Sequence, residues 1–563
     1  MKSKNLCFII IVLMFFLFKL NTDAEYSELP LEVSRNNFRE VGLVKTAITE
    51  EGNTYIAWQQ TEVDDDNNSK TSIYLQLIDK NGKYCWDNIG LFISFVKDVD
   101  FNFYEDINLT TTENGDAILS FIYLRKNQEK GICINKINQK KEIIWQKTHQ
   151  DIYPEEVNST TNQFCLSICE NNIIVCNVTS HKSFIQILSL DGNILLQDKL
   201  EIDAPIVNPS IIGSIDSTFI CVYRLNKTLF ADRYEFNGNV KWKAVYIGNE
   251  TCDELDFYDK NYVFSDGIGG AIITWEVQQK DNNKNKDIFV QRLNALGKRL
   301  FTNDGINISI GELNQNHVTD VDIKNNIIHI CWNTSIFGKK SIVLQRLDFE
   351  GNKLYSENGM VLMKDINLSI DNKPLFVVHI PNKRVLVVVK YKEINDYIYE
   401  MYAFRADENE TIFWEKKLDI EKNIFHNQVS TSFFNDQIVI VWCDENPYIK
   451  TLDNKTIKAM NLSYNGIIGL DESAITNNID CIYAFPNPTK DFANLMVKLK
   501  IPQFVNVKLY DVKGNTIYNN NVYLNEGENL LNFNLGDLVA GSYIVSIYST
   551  TNNKLYNYSI LKY

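Results

Sequence analysis

The segment Ser72-Ile73-Tyr74-Leu75-Gln76-Leu77-Ile78-Asp79-Lys80-Asn81-Gly82, followed four residues later by Trp86, is the first clear copy of a frame that runs through most of the chain. It returns as Asp287-Ile288-Phe289-Val290-Gln291-Arg292-Leu293-Asn294-Ala295-Leu296-Gly297 with Phe301, and as residues 341–351 with Gln345, Arg346, Leu347, Gly351 and Tyr355. Fainter copies place the turn at Lys141 with Trp145, Gly192 with Leu196, Gly238 with Trp242, Glu410 with Trp414 and Gly466 with Leu470. The eight turns stand 46 to 59 residues apart, and in four copies a glutamine stands six residues before the turn: Gln76, Gln186, Gln291 and Gln345. A fixed period of this length means one supersecondary unit repeated along the chain.

Each unit also carries an earlier apolar run: Thr54 to Trp58, Ala117 to Tyr123, Ile173 to Val178, Phe219 to Tyr223, Ala271 to Trp275, Ile327 to Trp332, Val385 to Val389 and Gln437 to Trp442. β-Branched and aromatic residues between Asn, Asp and Gly turns, with no helical period, call for all-β structure. A four-stranded unit of about fifty residues fits one blade of a β-propeller. Residues 40–475 are expected to form one propeller of about eight four-stranded blades, or seven if the weakest unit is a closing segment.

The recurring aromatics are expected to pack between blades and to be mostly buried, because a residue that every blade demands is structural before it is functional. Asp64, Asp66 and Asn68 have the alternate spacing of a calcium loop, but Ser69 and Leu75 replace its glycine and closing glutamate, so a solvated hairpin tip is expected and no metal ligand is assigned. Cys176, Cys221, Cys331 and Cys443 fall in or beside apolar strands and read as buried small hydrophobes. One or two disulfides involving Cys165, Cys169 or Cys481 are compatible with export, with no pairing implied.

The last eighty or so residues differ in kind. Phe485-Pro486-Asn487-Pro488 cannot join a central strand, since neither proline offers a ladder donor. Lys508-Leu509-Tyr510-Asp511-Val512 runs into Lys513-Gly514-Asn515 as strand into turn, and Ala540-Gly541 turns the chain again before Ser542 to Ser549 alternates with period two around Tyr543. This order of motifs, from Ile482 to Tyr563, resembles the type A C-terminal sorting domain of the type IX (Por) secretion system. Asn515 stands where that family often has arginine. The resemblance implies a small immunoglobulin-like antiparallel sandwich over 482–563, joined flexibly to the propeller and recognised by outer-membrane secretion machinery. Its motif residues are Pro486, Asn487, Pro488, Tyr510, Asp511, Gly514, Gly541 and Tyr543.

Lys2 and Lys4 precede an apolar run from Leu6 to Phe18, and Thr22-Asp23-Ala24 offers small residues for cleavage, so residues 1–24 read as a signal peptide. No other segment approaches spanning length, and no membrane insertion is expected after cleavage. A net charge of −15 argues against nucleic acid or an anionic membrane as partner. The chain holds six histidines, and a scan finds no nucleophile elbow, His-Glu-x-x-His pair, phosphate loop or dinucleotide fingerprint. The turn-and-tryptophan period is also similar to that of quinoprotein dehydrogenases, whose cofactor and calcium residues have no counterpart here. No catalytic, cofactor or metal residue is therefore assigned. The expectation is a protein routed through the periplasm to the medium or outer cell surface, whose propeller binds an extracellular polymer or protein. The alternatives are a glycan-active hydrolase or lyase on the same scaffold, and a structural surface protein.

Overall fold

The structure, a computed structural model, describes residues 31–563 apart from 35–39, 64–68, 88, 94–103, 125–129, 154–160, 162, 203, 227, 250–260, 279–285, 310–314, 325, 337–338, 367–375, 381–383, 396–397, 407–408, 419–424, 435–436, 446–454, 464–478, 500–502, 513–514, 526 and 549–553. The signal-peptide reading, the 64–68 loop, Gly466 and Gly514 lie outside the described residues. The chain divides into two compact units, with the boundary near residue 460.

The first unit is an eight-bladed propeller. Blades 1 to 7 occupy residues 40–93, 104–148, 163–202, 207–249, 262–307, 315–366 and 376–418, each of four antiparallel strands in chain order, with blades 5 and 6 also joined into one sheet by a parallel pair, Lys286 opposite Gln315. The eighth is composite: three strands from 425–463 are completed at their edge by Leu31–Glu32, with Leu31 opposite Ala459 and Glu32 opposite Lys458. Two further bonds secure that seam, Val33 N–H to Ile457 O at 2.7 Å and Ile457 N–H to Ser34 Oγ at 2.9 Å. The ring also shuts between first strands, where Thr46 N–H of blade 1 donates to Ser430 Oγ of blade 8 at 3.0 Å. Apolar clusters fill the spaces between successive blades, as where Ala57 and Leu75 of blade 1 meet Leu119 and Phe121 of blade 2. The eight apolar runs form the second strand of each blade, from Thr54–Val63 to Gln437–Glu445.

The repeat now has a physical explanation. The seven turn positions that are described all have positive φ, including the non-glycines Lys141 (71°) and Glu410 (59°). The turn residue's N–H bonds the carbonyl three residues back, as from Gly82 to Asp79 O and Gly297 to Asn294 O, each at 2.9 Å. That is the hairpin in which a type I turn is followed by a left-handed residue. The four glutamines lie on third strands and are buried. Each amide clamps the third strand to the connection that follows. Gln345 Nε2 donates to Ser356 O at 2.9 Å, while its Oε1 accepts from Arg346 N–H at 2.9 Å and Tyr355 N–H at 3.2 Å.

The aromatic series packs between blades, and Trp86, Trp145 and Trp242 are half-buried, Trp145 and Trp242 on fourth strands and Trp86 in the connection that leads to one. Each indole N–H reaches the carbonyl two residues before the next blade's turn: Gln139 O at 2.8 Å, Leu190 O at 3.0 Å and Ala295 O at 3.0 Å. The rings lie on the turn glycines, so a Cβ at Gly192 would stand 2.9 Å from Trp145. The side chain of Trp414 lies outside the described residues. The fully enclosed tryptophans are Trp58, Trp275, Trp332 and Trp442, on second strands.

The second unit is a two-sheet sandwich. One sheet pairs residues 479–485, 492–499 and 527–534, and the other orders 516–524, 503–510, 541–548 and 554–562. Leu495 and Val497 of the first sheet share a core with Val507, Leu509, Val545 and Ile547 of the second.

Candidate functional site

Blades 1, 5 and 6 share a motif beyond the turn: Trp58, Trp275 and Trp332 on second strands pack against Gly90, Gly305 and Gly359, eight residues after each turn. A Cβ at those glycines would also come within 2.8 Å of the carbonyl oxygens of Leu75, Val290 and Leu344, and all three have positive φ. Blade 4 breaks the motif at every point. Tyr223 takes the tryptophan's place, opposite Phe230 as Trp58 is opposite Tyr74. Asp232 stands at the glutamine's position and Tyr246 at the glycine's.

Buried Asp232 accepts from Tyr234 Oη at 2.6 Å, Ala244 N–H at 2.7 Å and Tyr223 Oη at 3.1 Å. Burial, and then the charge of Asp232, hold both phenols far above their ordinary range. They are fixed donors and cannot serve as bases near neutral pH. With tyrosine in place of the glycine, the fourth strand runs unbroken over Val240–Asn249, and Tyr246 comes to the surface between blades 4 and 5.

There Tyr246 borders an open cleft of about 390 Å³ with Val245, Gly297, Lys298, Arg299 and Asn303. The Arg299 guanidinium lies 5.2 Å from the Tyr246 ring centroid and its Nη1 donates to Asn303 O at 2.6 Å. Tyr246 Oη donates to Asp304 Oδ1 at 3.2 Å. The exposed Lys298 adds a second cation. No other described blade has arginine two residues after its turn; the place holds Tyr84, Ile143, Ile194, Val240, Lys353 or Ile412. A tyrosine face with a guanidinium held over it, beside a free-standing ammonium, suits a flat polar ring bearing an anionic group. Among the described residues no three His, Cys, Asp or Glu side chains are placed to hold a metal ion. Sequence reading missed this cleft, although a tyrosine where blades 1, 5 and 6 have glycine was the available signal.

The described sorting-motif residues are each fixed by local bonds. Asn487, between its two prolines, donates from Nδ2 to Ser559 O and accepts Leu561 N–H, both at 2.8 Å. Thr489 continues this grip on the last strand, its N–H reaching Leu561 O at 2.8 Å while its carbonyl accepts Tyr563 N–H at 3.0 Å. Tyr510 Oη meets Tyr548 Oη at 3.0 Å, and that bond pushes the Tyr510 phenol up to about 12. Asp511 closes its turn on Asn515, Oδ1 accepting N–H at 2.9 Å and Oδ2 accepting Nδ2 at 2.8 Å. Gly541 opens a strand, and buried Tyr543 donates to Val539 O at 2.6 Å. Lys562 is buried with its ammonium on the carbonyls of Leu535, Gly536 and Leu538.

Residues 483–560 match the secretion system C-terminal sorting domain. The chain therefore carries a type IX sorting domain behind a propeller, and is exported to the outer cell surface or the medium. A curated relative, an endo-acting ulvan lyase from Formosa agariphila, is 33% identical over 95 residues, which is 17% of this chain and 17% of the relative. Solved structures with similar arrangements include a protein of unknown function from Dyadobacter fermentans (10% identity, 78% of this chain and 98% of that one, TM-score 0.36). Others are an ulvan lyase bound to -[GlcA(1-4)Rha3S]- (9%, 77% and 95%, TM-score 0.40) and the propeller domain of the trilobed protease from Pyrococcus furiosus (11%, 69% and 97%, TM-score 0.35). These superpositions are loose, and the fold rests on the strand pairing itself.

Proposed function

We propose that the exported propeller binds an acidic extracellular polysaccharide, with the cleft of Tyr246, Lys298 and Arg299 as the point of contact. The observation that carries this reading is the cleft itself: where blades 1, 5 and 6 keep a glycine, blade 4 has Tyr246, which stands beside Lys298 and Arg299 of blade 5. A carboxylate or sulfate would pair with Arg299 and Lys298 while the sugar ring lies against Tyr246. Affinity electrophoresis of the purified protein in gels holding uronate-rich, sulfated or neutral polysaccharides tests it. Acidic polymers should retard the protein, salt should weaken the effect, and K298A/R299A should lose it at least about tenfold, as removal of two charged contacts implies. Equal retardation of the double variant, or by neutral polymers, would contradict the proposal.

A second reading, a glycan lyase or hydrolase, draws on the 95-residue likeness to an ulvan lyase. Incubation with the same polymers, followed for new unsaturated or reducing chain ends, separates it from binding alone.

A further inference from the structure

The first strand of blade 3, Gln163–Cys169, sets Cys165 directly opposite Cys176 of the second, Asn172–Val178. Directly opposed residues share a face, with Cβ atoms about 4.5–5.5 Å apart. That face turns toward blade 4, whose Cys221 presents its own side chain back across the gap, and all three sulfurs lie in one apolar cluster. Cys165 on its own blade and Cys221 across the gap both stand beside Cys176. Other cysteines have separate partners: Cys169 Sγ donates to Ser214 O at 3.7 Å, and Cys133 Sγ accepts from Asn135 Nδ2 at 3.6 Å. Cys176 and Cys221 are fully enclosed, whereas Cys165, on the ring's inner strand, is partly exposed. Cys176 and Cys331 share a blade position and Cys221 the neighbouring one, so each can be explained as a small core residue. Cys165 belongs to no such series.

We propose that Cys165 and Cys176 are a disulfide pair in the exported protein, made on the folding chain, with Cys221 remaining a thiol beside them. The oxidant is a disulfide-bearing donor of the export route. Cys165 thiolate attacks one donor sulfur and expels the other as a thiolate. Cys176 thiolate then attacks the Cys165 sulfur and expels the donor's remaining sulfur. One S–S bond forms and one breaks, and the two electrons and two protons given up by the cysteines leave on the reduced donor. The two residues lie in one hairpin, so they meet before blade 4 covers them. After it does, Cys176 and the neighbouring Cys221 are fully enclosed, which keeps exchange in the finished ring slow.

The test is a thiol map of the full-length protein, alkylated in the culture medium at harvest and again during denaturation without reductant, then digested for mass spectrometry. The expected result is a linked peptide pair carrying Cys165 and Cys176, with Cys221 alkylated, and the same linkage in C221S. Reductant should lower the thermal midpoint of the wild type and leave that of C165A unmoved. Alkylation of all three cysteines, or a Cys176–Cys221 link, would overturn the proposal.

Discussion

At the scale of single residues, a short list of side chains holds each blade together. Gln345→Ala leaves the carbonyl of Ser356 and the N–H groups of Arg346 and Tyr355 without the partner that served them. Buried orphans cost about 1–3 kcal/mol each, so a loss of roughly 2–4 kcal/mol is expected from denaturant unfolding, and a loss near zero would deny the clamp its role. Trp242→Ala removes a half-buried ring and its bond to Ala295 O, for roughly 2–3 kcal/mol, whereas Trp275→Ala empties an enclosed site for about 3–5 kcal/mol. A reversed order in a melt of the two variants would contradict the assignment of packing roles. Glu235 titrates in a known direction. Its ion pair with Lys241, then hydrogen bonds from Asn239 and Asn237, lower its carboxyl to about 2. Because the folded value lies below the unfolded one of about 4.3, its stabilising effect is present above that pH and is lost as pH falls toward 2. Melting curves of wild type and E235Q should converge over that window; parallel curves would show the pair to be idle.

At the scale of elements, the second strands and turns were legible because periodicity and turn chemistry are local properties. Gln76, Gln186, Gln291 and Gln345 align on third strands as the spacing implied, and even Lys141 and Glu410 take the left-handed conformation that the frame demanded of them. Leu31–Glu32 was illegible, since a two-residue strand has no period and finds its partners, Ala459 and Lys458, at the far end of the repeat array. The cleft was hidden for a related reason: Tyr246, Lys298 and Arg299 come from different blades, and only the ladder brings them together. The grip of the sandwich on its last strand was half visible, with Asn487 singled out by its prolines and Lys562 lost among surface lysines. Lys562→Ala removes the cation from three carbonyls, and K562A should therefore accumulate in the periplasm in larger share than wild type. Fractionation that finds unchanged export would show that this contact does not matter to sorting.

At the scale of the whole molecule, the ring closes on itself through strands from both ends of the repeat array, and the sandwich closes on its own core. Closure explains why composition could limit the function classes without naming a ligand: the repeated residues are committed to blade packing, and only departures from the repeat are free to bind. The central claim is that a self-sufficient propeller is sent across the outer membrane by the domain that follows it. The measurement that tests it most directly is the location and fold of a chain ending at residue 478. It should accumulate in the periplasm as a protease-resistant propeller while the full-length protein reaches the cell surface or medium. Arrival of the truncated chain outside the cell at the full-length level, or its proteolysis as an unfolded chain, would contradict the account.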